Sequence, residues 1–376
     1  MHLEPRSVVD KEPVDGLTVS GPASGRYLIG GRPYLNFSGA GYLALSELPE
    51  LREAALDAIA RGVPFAQQLP PPYGIRDPLF EEVEQVAADY MGTETAVFFA
   101  SGYMIGMVAL AAERQSRDQL FIDESAHQNL KDAAILSGVP ITYFRHRDAE
   151  ALRHKIDSSL APRSRPLLLT DGTFAASGDL APLRDYADIL ANFGGAMIVD
   201  DAHGFGVLGL GGRGAIEHLG VTDLAIQGAT FSKALCAQGA VIGCTEAQAR
   251  RINALAPKRG ANAGSPISAA VSVAAMRYMR LNPSRRHKLS RLAVSLRKGL
   301  SNNGFAVSDS PSNIISFRLQ SRDEMRRVQY RLFFKGIYLP ISDYPGAGPG
   351  GIFRAAVYAN HDQADIDRLV SELGAI

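Results

Sequence analysis

The sequence predicts an α/β protein: a large domain on a mostly parallel, seven-stranded sheet, followed by a smaller C-terminal α+β domain. Three observations carry that expectation. From about residue 79, short apolar runs alternate with helix-length segments. The runs are "AVFFA", "QLFID", "ITYFR", "PLLLTD", "AMIVD", "LAIQGA" and "AVIGC", all rich in strand-favouring residues and spaced for a parallel sheet covered on both faces. After about residue 270 the texture changes to a long helical region and then to "NIISFRL", "IYLPI" and "IFRAAVYA".

Taken in order, residues 1–45 are rich in Gly and Pro and read as an irregular N-terminal arm, residues 46–270 as the large domain and residues 271–376 as the small one. In "LFEEVEQVAADYMG", Leu79, Val83, Val86, Ala87 and Tyr90 fall on one helical face, and Gly92 is a natural C-cap. The closing "DQADIDRLVSEL" places Ile366, Leu369, Val370 and Leu373 on one face, with Asp362 as N-cap. No internal repeat or low-complexity segment interrupts the pattern.

Composition narrows the function classes. The chain has 376 residues, 46% hydrophobic and 21% charged, enough for a sizeable core. Its 39 basic and 39 acidic residues leave a formal net charge of zero, so bulk electrostatics points to neither nucleic acid nor an anionic membrane. Two cysteines, Cys236 and Cys244, have no metal-ligand spacing and are too few for a disulfide framework. The first residues lack an apolar signal core, and no apolar run approaches membrane-spanning length. The expectation is a soluble, cytoplasmic protein with no bound metal.

In parallel sheets, ligands collect at the carboxyl ends of the strands. There "AVFFA" runs into Ser101-Gly102-Tyr103, "QLFID" leads to His127, and "PLLLTD" ends at Asp171-Gly172. "AMIVD" ends on Asp200, Asp201 and His203, and "LAIQGA" on Thr230-Phe231-Ser232-Lys233. Each member has an ordinary explanation. Ser101 can be a plain N-cap, His127 a loop histidine, Asp200 a helix cap and Lys233 a snorkelling surface lysine. Together they place a helix N-terminus, two histidines, carboxylates and a lysine along one edge, which suits an anionic group joined to a basic heterocycle. A buried acid is costly unless a cation faces it. "GLGGRG" (Gly209, Gly211, Gly214) matches a dinucleotide fingerprint but does not follow a strand directly, and reads instead as tight turns.

The blocks "FFASGY", "TDGTFAASGDLAPL", "VDDAHGFGVLGLGGRGAIEHLG", "TFSKAL" and "FRAAVYANHDQADIDRL" resemble the α-oxoamine synthases, enzymes of fold type I that use pyridoxal 5′-phosphate (PLP). The likeness runs from about "GGRPYLNFSGAGYLAL" to the final helix. It implies that Lys233 carries PLP covalently and then serves as base, that Asp200 pairs with the ring nitrogen, that His203 bonds the phenolic oxygen and that His127 stacks on the ring. It further implies that Ser101, Gly102, Tyr103 and Thr230 hold the phosphate and that Arg354 grips the amino-acid carboxylate. The implied reaction joins a small amino acid to an acyl thioester, delivered by coenzyme A or an acyl carrier protein, with loss of CO2. The implied assembly is a homodimer with its active site at the subunit interface.

The departures lie on the substrate side. Ala40 stands where the family has an asparagine, Ala175 replaces a serine, Gly350 falls at an expected threonine, and "YGIRDPLFEEVE" is shortened with Phe80 near a histidine position. They leave open an aminotransferase, racemase or decarboxylase on the same scaffold, or a silent PLP-binding protein. From Met276 to Ser308 there are no acids, while eight Arg and Lys accumulate, including Arg285 and Arg286. A solvated helix face is the default reading of such a run, and a dock for the acyl donor the functional alternative.

Overall fold

A computed structural model describes residues 14, 16–67, 77–115, 118–221, 225–260 and 264–376. The start of the N-terminal arm and the "YGIR" part of the shortened segment lie outside the described residues. The chain opens with strands β1 (Val19–Ser20), β2 (Arg26–Ile29) and β3 (Arg32–Asn36), then helices α1 (Pro49–Ala60) and α2 (Pro78–Met91). Next come β4 (Thr95–Phe99), α3 (Ile105–Glu113), β5 (Asp118–Asp123), α4 (Gln128–Ser137), β6 (Ile141–Phe144) and α5 (Ala149–Ser159). They are followed by β7 (Arg165–Asp171), α6 (Leu183–Ala191), β8 (Ala196–Asp200), α7 (Ala215–Leu219), β9 (Ala225–Thr230) and β10 (Ala240–Cys244). Helices α8 (Glu246–Ala254), α9 (Ala256–Gly260), α10 (Pro266–Leu281) and α11 (Pro283–Asn302) lead to β11 (Ile314–Phe317) and α12 (Arg322–Phe334). The chain closes with β12 (Ile337–Tyr338), β13 (Ile341–Ser342), β14 (Ile352–Ala356) and α13 (Gln363–Gly374).

All seven expected strands of the large sheet form, in the order β4-β10-β9-β8-β7-β5-β6. Successive residues feed opposite faces: Ala96, Phe98, Leu168, Met197 and Val199 enter one buried cluster, Val97, Phe99, Leu167, Leu169 and Ile198 the other. The sheet is parallel except for β10, which runs antiparallel to both β4 and β9. The reason is local. The connection 231–239 between β9 and β10 is too short for a crossover helix, so the chain must turn straight back. Lys233 sits on that tight connection.

Helix α2 stops on Gly92 with φ of 74°, and α13 starts on Asp362 in a reciprocal capping box with Asp365, as their sequences imply. Two readings change. The arm is not wholly irregular, because β1, β2 and β3 pair antiparallel and β12 adds in parallel to β3. "IYLPI" is two strands, split at Pro340, which has no N–H to continue a ladder. Strand β12 joins the N-terminal sheet, and β13 joins the three-stranded sheet β11-β14-β13.

Candidate active site

A continuous line of side chains, buried at His203, Tyr42 and Arg354 and half-buried at Lys233, crosses the edge of the large sheet. Lys233 Nζ lies 2.7 Å from His203 Nε2, and His203 Nδ1 lies 2.6 Å from the Tyr42 hydroxyl. That hydroxyl accepts a hydrogen bond from Arg354 Nη2 at 3.0 Å. Burial pushes the Lys233 amine down to about 8, against a smaller upward pull from Asp200 and Asp171. Burial, with the nearby positive charges of Lys233 and Arg354, holds His203 well below its usual range, so its imidazole is neutral. Arg354 only donates, so the Tyr42 proton can go to Nδ1; in that tautomer Nε2–H points at Lys233 and donates to its amine when the amine is neutral.

Behind this line, the Asp200 carboxylate is 4% exposed and accepts from Asn129 Nδ2 at 2.8 Å and from the Ala202 N–H at 3.1 Å. Asn129 also donates to the Gly102 carbonyl at 3.3 Å and lies 3.0 Å from His127 Nδ1. The His127 backbone N–H donates to Asp171 Oδ2 at 2.8 Å. Burial and the neighbouring Asp200 raise the Asp171 carboxyl well above the usual range. Ser101 caps the turn into α3, accepting from the Tyr103 N–H at 3.3 Å. A Cβ on Gly102 would come within 2.7 Å of Thr230 Oγ1, so only glycine lets this turn close against β9. Thr230 Oγ1 in turn meets Ser232 Oγ at 2.9 Å and the Gly239 carbonyl at 3.2 Å.

The donor set fits PLP. Among the described residues no cation forms an ion pair with Asp200, which suits a protonated ring nitrogen brought by the ligand. The helix N-terminus beside Gly102 and Thr230 suits its phosphate, and a half-buried amine lowered to about 8 suits its aldehyde.

The sequence profile of the aminotransferase class I and II family matches residues 38–373. An 8-amino-7-oxononanoate synthase of Geotalea daltonii is 31% identical over 366 residues, 95% of this chain and 92% of that one. The chain belongs to the α-oxoamine synthase branch of the class I and II aminotransferases. Solved structures share the fold of this α-oxoamine synthase. SPT with PLP superposes at a TM-score of 0.89 with 22% identity, covering 96% of this chain and 91% of that one. A serine palmitoyltransferase of Sphingomonas wittichii gives a TM-score of 0.89 at 21% identity, with the same coverage. This α-oxoamine synthase is a PLP-dependent acyltransferase of fold type I.

The structure brings together every site residue expected from the sequence: Ser101, Gly102, Tyr103, His127, Asp200, His203, Thr230, Lys233 and Arg354. Arg354 differs from a free substrate clamp. Its Nε donates to the Ala175 carbonyl at 2.6 Å and its Nη1 to the Gly39 carbonyl at 3.1 Å, so three of its five N–H groups are committed. Ala175 thus contributes its backbone where a serine side chain was expected. Gly350 has φ of 83°, a conformation that would strain threonine. Phe80 is buried and stacks on Phe98 at 5.5 Å, a core contact. Of the three fingerprint glycines, Gly209 and Gly214 have positive φ, as turns require, and Gly211 does not. Sequence reasoning missed Tyr42 and Asn129. Position was the available signal: Asn129 follows His127 by two residues, and Tyr42 sits in "GAGYLAL" beside Ala40.

Proposed function

We propose that this α-oxoamine synthase joins a small amino acid to an acyl thioester, releasing CO2 and the free thiol and yielding an α-amino ketone. One proton is consumed overall: the acyl carbon replaces the carboxylate on the α-carbon, and the thiol leaves with a hydrogen. The observation that carries the reading is the unbroken line Lys233–His203–Tyr42–Arg354 beside Asp200 and Asn129. PLP, when bound, supplies the electron sink for the α-carbon.

The protein's own groups do the rest. Lys233, neutral over part of the population near pH 7, takes and returns the α-proton. Asp200, oriented by Asn129, keeps the ring nitrogen protonated. His203 directs its Nε2–H at the phenolic oxygen, its tautomer set by Tyr42. His127 covers one ring face, and the Gly102 and Tyr103 N–H groups with Thr230 hold the phosphate. Arg354 receives the substrate carboxylate with its two uncommitted N–H groups. We place the protein in the cytoplasm as a homodimer whose sites lie at the subunit interface; its two cysteines are free, and no helix among the described residues is long and apolar enough to cross a membrane.

The test is thiol release. Holoenzyme is incubated with glycine, L-alanine or L-serine, with and without acyl-CoA. Release that needs both partners is the expected result. A keto acid formed without thioester would identify a transaminase instead.

A further inference from the structure

Two half-exposed tyrosines flank the His127 ring. Tyr344 is 52% exposed and lies nearly parallel to it, with centroids 6.1 Å apart and planes at 26°. Tyr103 is 51% exposed and meets it edge-on, also at 6.1 Å, at 73°. Both rings are held in place. The Tyr103 hydroxyl donates to Asp132 Oδ2 at 2.5 Å, and Gln128 Nε2 donates to Asp132 Oδ1 at 2.7 Å. Tyr344 heads a glycine-rich turn fixed on one side by the Asp343–Arg322 pair, at 2.6 and 2.9 Å, and on the other by Arg318 donating to the Ala347 carbonyl. Large apolar planes left facing solvent beside a reactive centre mark a surface that a substrate covers.

The charged group bonded directly to these rings is acidic. Asp132 is a half-buried carboxylate, held below the usual range by its two hydrogen bonds. Of the basic side chains on the same two segments, Lys131 donates to the Glu124 carbonyl at 2.6 Å and Arg322 faces Asp343. A ligand's terminal carboxylate would meet the like charge of Asp132, while Lys131 and Arg318 are turned to backbone carbonyls and Arg322 to Asp343.

We infer that Tyr103 and Tyr344 grip the acyl group of the thioester donor, that this group is apolar and uncharged, and that Asp132 disfavours a donor ending in a carboxylate. The inference rests on the proposed acyl transfer. It departs from the 8-amino-7-oxononanoate synthase relative, whose named product is itself a carboxylate.

Thiol release by the holoenzyme is compared for octanoyl-CoA and for the acyl-CoA of equal length that ends in a carboxylate. The expected kcat/KM ratio is about tenfold or more in favour of octanoyl-CoA, falling to about threefold or less in Asp132→Asn. Tyr344→Ala should raise the KM for octanoyl-CoA about tenfold while kcat changes by about threefold at most, and Tyr344→Phe should restore it. Equal or better use of the carboxylate-ended donor would overturn the inference, as would an unmoved KM in both Tyr344→Ala and Tyr103→Ala. Exchange of the amino acid's α-proton with solvent, followed without thioester, separates the two failures. Exchange and thiol release without donor discrimination remove this inference alone. Absence of both removes the proposed reaction and the inference with it.

Discussion

Lys233 is the residue on which the chemistry turns, and its depressed amine pKa makes a directional prediction. Only the neutral amine captures an aldehyde, so covalent PLP uptake by the apoprotein should rise with pH up to about 8 and then level off. An unshifted lysine would keep rising towards its ordinary pKa of about 10.4. Stopped-flow absorbance of the bound cofactor distinguishes the two curves. Asn129 supports the site from behind: it is 2% exposed and bonds Asp200 from 71 residues away. Removing the amide in Asn129→Ala leaves a buried carboxylate short of a donor, worth about 1–3 kcal/mol, so PLP affinity should fall about 10- to 100-fold. Equilibrium dialysis measures this, and unchanged affinity would remove Asn129 from the site. The contrast with Asp200 explains what was legible. Asp200, His203, Thr230 and Lys233 stand at or just beyond strand ends, where periodicity alone puts them on the ligand edge. Asn129 and Tyr42 act through contacts 71 and 161 residues apart, which no local pattern encodes.

At the scale of elements, Asp201 shows how β8 is tied to the glycine-rich turn after it. Its Oδ2 accepts from the Ala215 N–H at 2.7 Å and from Gln227 Nε2 at 2.8 Å. A Cβ on Gly204 or Gly214 would fall within 2.1 or 2.0 Å of the same carboxylate. Gly214→Ala combines that clash with a φ of 100° and should cost about 2 kcal/mol or more, read as a lowered denaturation midpoint. Burial raises the Asp201 carboxyl to about 7, above the unfolded value near 3.9, so the folded state holds the proton more tightly. Its contribution to stability is full below pH 4 and is lost as pH rises towards 7. Thermal midpoints of the wild type and Asp201→Asn should therefore diverge across that window; parallel curves would contradict the assignment. The strands themselves were legible because buried parallel strands are continuous apolar runs. The direction of β10 was not, since it depends on the length of the 231–239 connection, and the short β1–β3 hairpin carries little apolar patterning.

Across the whole molecule, one guanidinium joins three distant parts of the chain. Arg354, on β14, donates to the Gly39 carbonyl after β3, to the Ala175 carbonyl after β7 and to Tyr42. His361 makes a second tie, with Nε2 at 3.0 Å from the Asn36 carbonyl and 3.2 Å from that of Gly25. Arg354→Lys keeps the charge but gathers its donors on a single nitrogen, so it cannot span the three acceptors that the planar fork reaches. It should lose about 3 kcal/mol of stability and raise the amino-acid KM at least about tenfold, measured by denaturant unfolding and steady-state kinetics. The basic stretch 276–308 serves the same integration. Arg285 donates to the Leu43 carbonyl at 2.5 Å and to that of Ala44 at 3.2 Å, Arg286 is buried against the Leu210 carbonyl, and Arg297 reaches the Ser312 carbonyl at 2.9 Å. Sequence shows such a run only as charge; the fold turns several of its members into tethers between α11 and the loops it covers.

The most direct measurement is reduction of the holoprotein with borohydride, followed by peptide mass mapping. A pyridoxyl phosphate adduct is expected on the peptide carrying Lys233 and is expected to be absent in Lys233→Ala. An adduct on another lysine, or none on protein saturated with PLP, would contradict covalent attachment at Lys233.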